Sequence, residues 1–367
     1  MHIVCLASPT PPTYGGAIDM YYRIKRLHES GVRLILHVFL YRDATPSAEL
    51  EAMAEKVFYY HRDTTFARQL SALPYIVESR RNASLLDNLC IDDEPILFEG
   101  LHTCYYLSSP RLAGRVKMVR MHNIEYRYYY MLAKNALLSP NALYYLLEGA
   151  KLYFYERVVR NASRVLAITE ADVDELKSRY PGVDVRLLRC FFDNSSQHEY
   201  CPTKPYIIYH ANLSVSENVK AAKFIIKHSN ELIPEGWRLK IAGFSPDKSL
   251  YRMSEGVNCV DIIANPSAEE MSRLIAEAHI NLLITFQQTG IKLKLLNTLQ
   301  QASGHCVVNT PMLYGTGLRH LCHVADSVEE LKQIIAHLAT TPRSKEDYSN
   351  RIRSLADMGF NDISNLL

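Results

Sequence analysis

The chain lacks any apolar run near the roughly 18 residues that span a bilayer, and nothing resembling a leader precedes the first strand pattern at about His2. A soluble, intracellular, cytoplasmic protein is expected. It also lacks an excess of charge of one sign. Lys and Arg number 41 against 39 Asp and Glu, a net +2, and without a concentrated basic stripe nucleic acid is excluded as a main partner. The eight cysteines (Cys5, Cys90, Cys104, Cys190, Cys201, Cys259, Cys306, Cys322) form no C-x-x-C pair and no His/Cys cluster at ligand spacing, which reads as buried thiols in a reducing compartment. No D-x-D carboxylate pair stands at a strand end, Asp92, Asp93 and Glu94 reading as a loop before Pro95. No metal site is therefore read. Repeats of 20–50 residues and low-complexity tracts are missing too.

What is present is a large apolar content, 48% of 367 residues, more than one core usually accommodates, so two domains are expected. Short apolar runs alternate with helical patterns throughout. Strands are predicted over 3–6, 34–39, 57–60, 96–98, 116–120, 165–168 and 185–188, then over 206–209, 239–242, 260–262, 280–284 and 306–309. Helical patterns such as 17–30 and 171–180 lie between them. Strands apolar enough for burial on both faces, alternating with helices, predict an α/β fold of two doubly wound Rossmann-like domains. The polar, proline-bearing stretch 192–205 marks the boundary. It gives an N-terminal domain over 1–195, a second over 196–342, and a C-terminal helical segment over 343–367 that crosses back to the first domain or stays with the second.

Two segments carry the strongest chemical signal. Ile3 to Leu6 breaks into a proline-rich turn ending in Gly15 and Gly16 before a helix with Met20, Ile24 and Leu27. Far downstream, the 280–284 strand is followed by Thr289, Gly290, Ile291, Lys292 and Lys294, a second turn opening a helix. Such turns aim unpaired N–H groups and the positive end of a helix dipole at an anion. If the two sheets face one cleft with their carboxyl ends, both turns line it, and a diphosphate would be gripped from two sides.

The stretch from Ser8 to Ala17, Arg120-Met-His-Asn-Ile-Glu125, Tyr209 to Ser214 with Asn218, Ile241-Ala-Gly243, Gly290 to Asn297, and Gly304 to Val308 recur in the order found in one group. Together they resemble the retaining nucleotide-sugar glycosyltransferases of the GT-B fold, family 4 in particular. The resemblance covers nearly the whole chain. It implies a nucleoside diphosphate sugar, UDP- or GDP-linked, as substrate rather than any bound cofactor, and donor contacts from Gly15, Gly16, Asn212, Ser214, Thr289, Gly290, Ile291, Lys292 and Asn297. Two residues apart in a helix, Lys292 and Lys294 would point about 200° from each other, and the resemblance selects Lys294 for the phosphates. It also exposes a departure. Thr289 and Asn297 stand where the family has two glutamates, and an asparagine can hold one ribose hydroxyl but not grip the diol as a carboxylate does.

His122, at the end of the 116–120 strand, is the candidate beside the reacting sugar. Asn123, Glu125, and the neighbouring Glu99 and His102 are expected on the acceptor side. Tyr126, Tyr128, Tyr129, Tyr130, Met131 and Leu132, then Tyr144, Tyr145, Leu146, Leu147, Tyr153, Phe154 and Tyr155, are interleaved with Arg127, Lys134, Lys151, Arg157 and Arg160. Core packing of two helices, a sugar-binding groove and a peripheral face on the inner membrane surface all fit that pattern. The resemblance thus implies a retaining, metal-independent hexosyltransferase acting on a glycan or lipid-linked acceptor in surface polysaccharide biosynthesis. A nucleotide-sugar 2-epimerase of the same architecture and a non-catalytic nucleotide-sugar-binding subunit are the alternatives.

Overall fold

The computed structural model describes residues 1–367 apart from 13, 42, 43, 137, 138, 140, 194–198 and 288–290 and the side chain of residue 135. The chain divides into two compact units, Met1–Phe192 with Phe360–Leu367, and Asp193–Gly359. The expected break at 195/196 lies outside the described residues.

In the first unit β1 (His2–Cys5), β2 (Ile35–Leu40), β3 (Lys56–His61), β4 (Ile96–Glu99), β5 (Lys117–Met121), β6 (Arg164–Ala167) and β7 (Val185–Leu187) form one parallel sheet in the order β3-β2-β1-β4-β5-β6-β7. In register, His2 sits opposite Ile35 on one side and Ile96 on the other. Alternate residues feed two cores. Val4, Phe39, Phe98, Val119 and Val165 pack on one face, and Ile3, Cys5, Leu36, Val38, Leu97, Met118 and Leu166 on the other. Burial on both faces is why these strands read as continuous apolar runs.

The second unit repeats the plan. There β8 (Lys204–Asn212), β9 (Arg238–Phe244), β10 (Val260–Ala264), β11 (Ala278–Leu283), β12 (His305–Val308) and β13 (His323–Val324) pair in parallel in the order β10-β9-β8-β11-β12-β13. Strand β13 has no counterpart in the sequence reading, since two residues make no apolar run. Gly243 allows β9 to approach β8, because a Cβ there would lie 1.8 Å from the Ala211 carbonyl oxygen. Gly304 does the same before β12, where a Cβ would lie 2.2 Å from the Ala278 carbonyl oxygen.

The end of the chain serves both units. The helix Lys345–Asp357 packs in the second, its buried Arg351 donating to the carbonyls of Ala302 and Gly304. Residues Phe360–Leu367 then return to the first. The Asn361 side-chain oxygen accepts from the Phe192 N–H at 2.8 Å, the Asn365 amide donates to the Leu187 carbonyl at 2.9 Å, and Arg164 donates to the Asn365 carbonyl at 2.6 Å. Among the described residues, no helix is long and apolar enough to cross a membrane.

Candidate functional site

In each sheet the first strand lies inside and the order reverses beside it, between β1 and β4 and between β8 and β11. Parallel sheets of this plan bind ligands at the carboxyl ends of the strands flanking that reversal. The predicted site residues that are described collect at these two edges.

In the first unit, β1 is followed by the helix Gly15–Glu29, whose first turn has neither an acidic residue nor a side-chain cap. Among the described residues, a Cβ on Gly16 would meet only the Tyr14 ring, at 3.2 Å. The turn's leading N–H groups keep their capacity to bind an anion.

Behind the turn lies a buried ionic network that the sequence reading missed. Asp19 and Arg23, one helical turn apart, sit on the face carrying Met20, Ile24 and Leu27 into the core. Arg23 donates to Asp19 at 2.7 Å and to Glu99, at the end of β4, at 2.5 Å. The other Glu99 oxygen accepts from Nε2 of His122 at 2.9 Å, while Nδ1 of His122 lies 3.7 Å from Asp19. Asp19 further accepts from the Phe191 N–H at 2.7 Å and from Arg120 at 3.3 Å. Burial opposes ionisation of Asp19, yet Arg120, Arg23 and His122 hold its carboxyl far below the ordinary range. In Glu99 burial is likewise outweighed, by Arg23 and then the His122 bond, and the carboxyl is lowered. Both carboxylates are therefore charged, and they fix the imidazole between them. The available signal was an Asp/Arg pair at i, i+4 among core positions of a helix.

This geometry corrects the expectation for Glu99. It is fully buried with both oxygens engaged, so it orients His122 rather than touching an acceptor. His102 follows Gly100, whose φ of +70° suits glycine and where a Cβ would strike the ring nitrogen Nδ1 at 2.8 Å. Burial, then Arg80, His122 and Arg62, push the His102 imidazole far below its usual pKa, so it is neutral. Its Nδ1 has no partner among the described residues. Asn123 is half-buried beside His122. Glu125, in the first turn of the helix Glu125–Asn135, is 4% exposed, and burial followed by Glu156 pushes its carboxyl up to about 8 against the pull of Arg80. It carries a proton at neutral pH.

In the second unit the turn after β8 is built by Asn212, whose side-chain oxygen accepts from the Ser214 N–H at 3.1 Å and its hydroxyl at 2.7 Å. Asn218, in the helix Ser216–Lys227, donates to the Asn212 carbonyl at 3.0 Å and accepts from Lys294 at 3.3 Å. Lys294 also reaches the Tyr209 hydroxyl at 3.5 Å. Thus Asn212, Ser214, Asn218 and Lys294 form one cluster at the reversal point. Burial, then Lys292, depress the Lys294 ammonium to about 7, and burial takes Lys292 to about 8 despite Glu217. The premise of the opposed geometry expected of the two lysines, that both are helical, does not hold. The helix is Leu293–Gln301, and Lys292 is its N-cap residue with extended backbone (φ −93°, ψ 90°), so helical angular spacing does not govern it. Ile291 is half-buried just ahead, and Thr289 and Gly290 lie outside the described residues. Asn297 accepts from the Gln301 amide at 2.5 Å, which leaves one lone pair and its own amide for a ligand. Lys220 lies over the Phe286 ring, 4.9 Å from its centre.

No family model matches the chain. It is 24% identical to an uncharacterized 44.6 kDa protein in the cps region of Klebsiella pneumoniae, over 99% of this chain and 94% of that protein. Solved structures resemble it more broadly. The lipopolysaccharide outer core galactosyltransferase WaaB aligns over 100% of this chain and 98% of its own, with a TM-score of 0.65 at 12% identity. Sucrose-phosphate synthase from Thermosynechococcus elongatus aligns over 96% and 94%, with a TM-score of 0.64 at 12% identity. The α,α-trehalose 6-phosphate synthase from Burkholderia multivorans aligns over 99% and 96%, with a TM-score of 0.61 at 10% identity. The chain has the GT-B fold. Within a GT-B chain the two clusters above occupy the carboxyl edge of the N-terminal and of the C-terminal Rossmann-like unit respectively.

Proposed function

We propose that this GT-B protein is a retaining, metal-independent glycosyltransferase that moves a hexose from a UDP- or GDP-linked donor to a glycan or lipid-linked acceptor. The observation that carries the reading is Lys294. It is a largely buried amine at the β8/β11 reversal, held by Asn218 and Tyr209 and with no carboxylate partner among the described residues. Such an amine suits a diphosphate. Transfer breaks the bond from the anomeric carbon to the phosphate oxygen, and charge accumulates on that oxygen, where a fixed cation stabilises the transition state more than the ground state. The acceptor oxygen bonds the same carbon from the same face, and its proton passes to the departing diphosphate. In this reading His122, locked by Glu99 and Asp19, meets the sugar hydroxyls.

A role in surface polysaccharide synthesis is supported by the likeness to a protein of a cps region. A peripheral membrane position is supported by the helix Asn141–Tyr155. The tyrosine-rich stretch divides: Tyr126, Tyr129 and Tyr155 pack on the core, but Leu143, Leu147 and Phe154 are 65%, 57% and 60% exposed. Leu147 and Phe154 join Lys151, Arg157 and Arg160 in lining a groove of about 890 Å³, with Leu73 and Tyr144. An apolar face fringed by basic residues suits an anionic lipid surface.

The Asn297–Gln301 bond favours a second reading, a subunit that binds nucleotide sugar without turnover. A screen of UDP- and GDP-sugars for donor hydrolysis, with Lys294→Ala and His122→Ala alongside, separates the two. Transfer predicts one preferred donor and losses of about 100-fold or more in both variants. Calorimetry that found no binding of either UDP or GDP would sink both.

A further inference from the structure

Arg62 follows β3, and Arg80 follows the short helix Tyr75–Glu78. The two segments are stapled together, because the Asp63 N–H donates to the Ser79 carbonyl at 2.9 Å and Arg62 donates to the Ser79 hydroxyl at 3.1 Å. Arg80 is 4% exposed and reaches the end of β1, donating through Nε to the Leu6 carbonyl at 2.8 Å and through Nη1 to the Ile76 carbonyl at 2.6 Å. The buried Nε of Arg62 has no acceptor among the described residues. The Arg62 guanidinium lies 5.0 Å from the centre of the Tyr41 ring and 5.9 Å from that of Tyr75.

These two cations have no counter-charge among the described residues, because the carboxyls around them are occupied. Glu78 pairs with Arg68 at 2.7 Å and Arg81 at 3.5 Å, and Asp63 with Arg68 at 2.7 Å. Glu148 accepts from Lys151 at 2.8 Å and from the Tyr75 N–H at 2.7 Å. Glu125, the remaining acid that senses Arg80, holds its proton at neutral pH. Burial and then Arg62 depress the Arg80 guanidinium to about 9, with Tyr14, Tyr129 and Tyr75 as its other electrostatic neighbours. A buried guanidinium beside a second, half-buried one is costly unless an anion joins them.

We propose that Arg62 and Arg80 form a phosphate site on the acceptor side, and that the acceptor is a phosphate-bearing molecule rather than a neutral glycan. The acceptor assignment rests on the glycosyltransfer reading, whereas the anion site does not. Two guanidiniums match the double charge of a phosphate better than the single charge of a carboxylate, and their planar forks suit its oxygens. The site lies on the same carboxyl edge as His122, with the unpartnered Nδ1 of His102 close enough to feel both arginines. On its other side Tyr144, which also senses Arg62, lines the groove that runs to Leu147 and Phe154. A lipid-linked phosphate and a soluble sugar phosphate share the recognised group, and the groove gives the lipid form a path for its tail.

The test is calorimetry of the full chain with inorganic pyrophosphate. It compares the parent, Arg62→Gln, Lys294→Ala and the double variant, each checked by its melting curve because Arg80 itself secures two backbone carbonyls. Lys294→Ala should keep one binding event, and adding Arg62→Gln should weaken it about tenfold or more. The proposal falls if Lys294→Ala abolishes all pyrophosphate binding, or if Arg62→Gln changes nothing in that background. A second arm compares a polyprenyl phosphate in detergent with a hexose 1-phosphate. Tighter binding of the first identifies a lipid-linked source and tighter binding of the second a soluble one, each supporting the site. If neutral polyprenol and free hexose bind as tightly as their phosphates, the site is refuted. Intact pyrophosphate binding with no donor hydrolysed in the sugar screen would overturn the transfer reading alone.

Discussion

Glu99 and His122 meet at 2.9 Å across the ends of β4 and β5, and Arg23 occupies the other oxygen of the same carboxylate. The histidine is thus positioned by a charge that is itself neutralised from behind. Replacing Glu99 with glutamine keeps the shape and removes the charge. We expect kcat for donor hydrolysis to drop about 10–100-fold with little change in donor KM. An unchanged kcat, or a loss carried by KM instead, would remove Glu99 from the positioning role.

Arg23 is fully buried between Asp19 and Glu99. Arg23→Ala strands two buried carboxylates and should lower unfolding free energy by about 3–5 kcal/mol. The exposed Arg238–Asp261 pair provides the contrast, and Arg238→Ala should cost far less. Equal losses in urea titrations of the two variants would contradict the difference in burial.

At the opposite end of the first sheet His2 donates to Asp92 at 2.7 Å, accepts from His37 at 2.8 Å, and His37 accepts from the Tyr60 hydroxyl at 2.9 Å. The relay is complete with both imidazoles neutral. Burial lowers both pKa values from 6.5, in His2 against the pull of Asp92. Above pH 6.5 neither state is charged and the pair leaves stability unaffected by pH. Below 6.5 the unfolded chain binds protons that the folded chain refuses, so stability falls as pH drops, by up to about 1.4 kcal/mol per pH unit for each proton. Melting curves from pH 7.5 to 5 should show this slope, and His37→Phe should flatten it.

The alternating apolar runs made both sheets legible, and the strand ends differ from the predicted ones by a few residues at most, β8 being extended by polar residues at each edge. Gly15, Gly16, His122 and Lys294 stood out in the sequence because short patterns mark them. Asp19, Arg23, Arg62 and Arg80 were not, since each is a single polar residue in an ordinary-looking segment. Their meaning arises from partners distant in sequence, Asp19 with Arg120 and Phe191, and Arg80 with Leu6. Glu99 was seen but misassigned, because a carboxylate at a strand end reads the same whether it faces a ligand or an arginine.

Lys294, depressed to about 7 by burial and Lys292, is largely uncharged in the free protein above that pH. A diphosphate favours its ammonium form, so binding takes up a proton. UDP or GDP affinity should weaken as pH rises above 7, and calorimetry in buffers of different ionisation enthalpy should detect uptake near pH 8. In Lys294→Met both effects should shrink, and full proton uptake in that variant would exclude Lys294 as its source.

Leu147 and Phe154 are exposed, so Leu147→Glu with Phe154→Glu should leave the melting temperature within a few degrees while lowering co-sedimentation with anionic vesicles about tenfold. Equal vesicle binding by parent and variant would assign that face to something other than lipid.

The return of Phe360–Leu367 to the first unit separates the order of synthesis from the order of completion. Residues up to Phe192 leave the ribosome first, but Arg164, Leu187 and Phe192 obtain their last hydrogen-bond partners only when Asn361 and Asn365 have been made. The later-made unit is therefore free to finish ahead of the earlier one, and removal of the residues from Phe360 onward would damage the half of the molecule translated first.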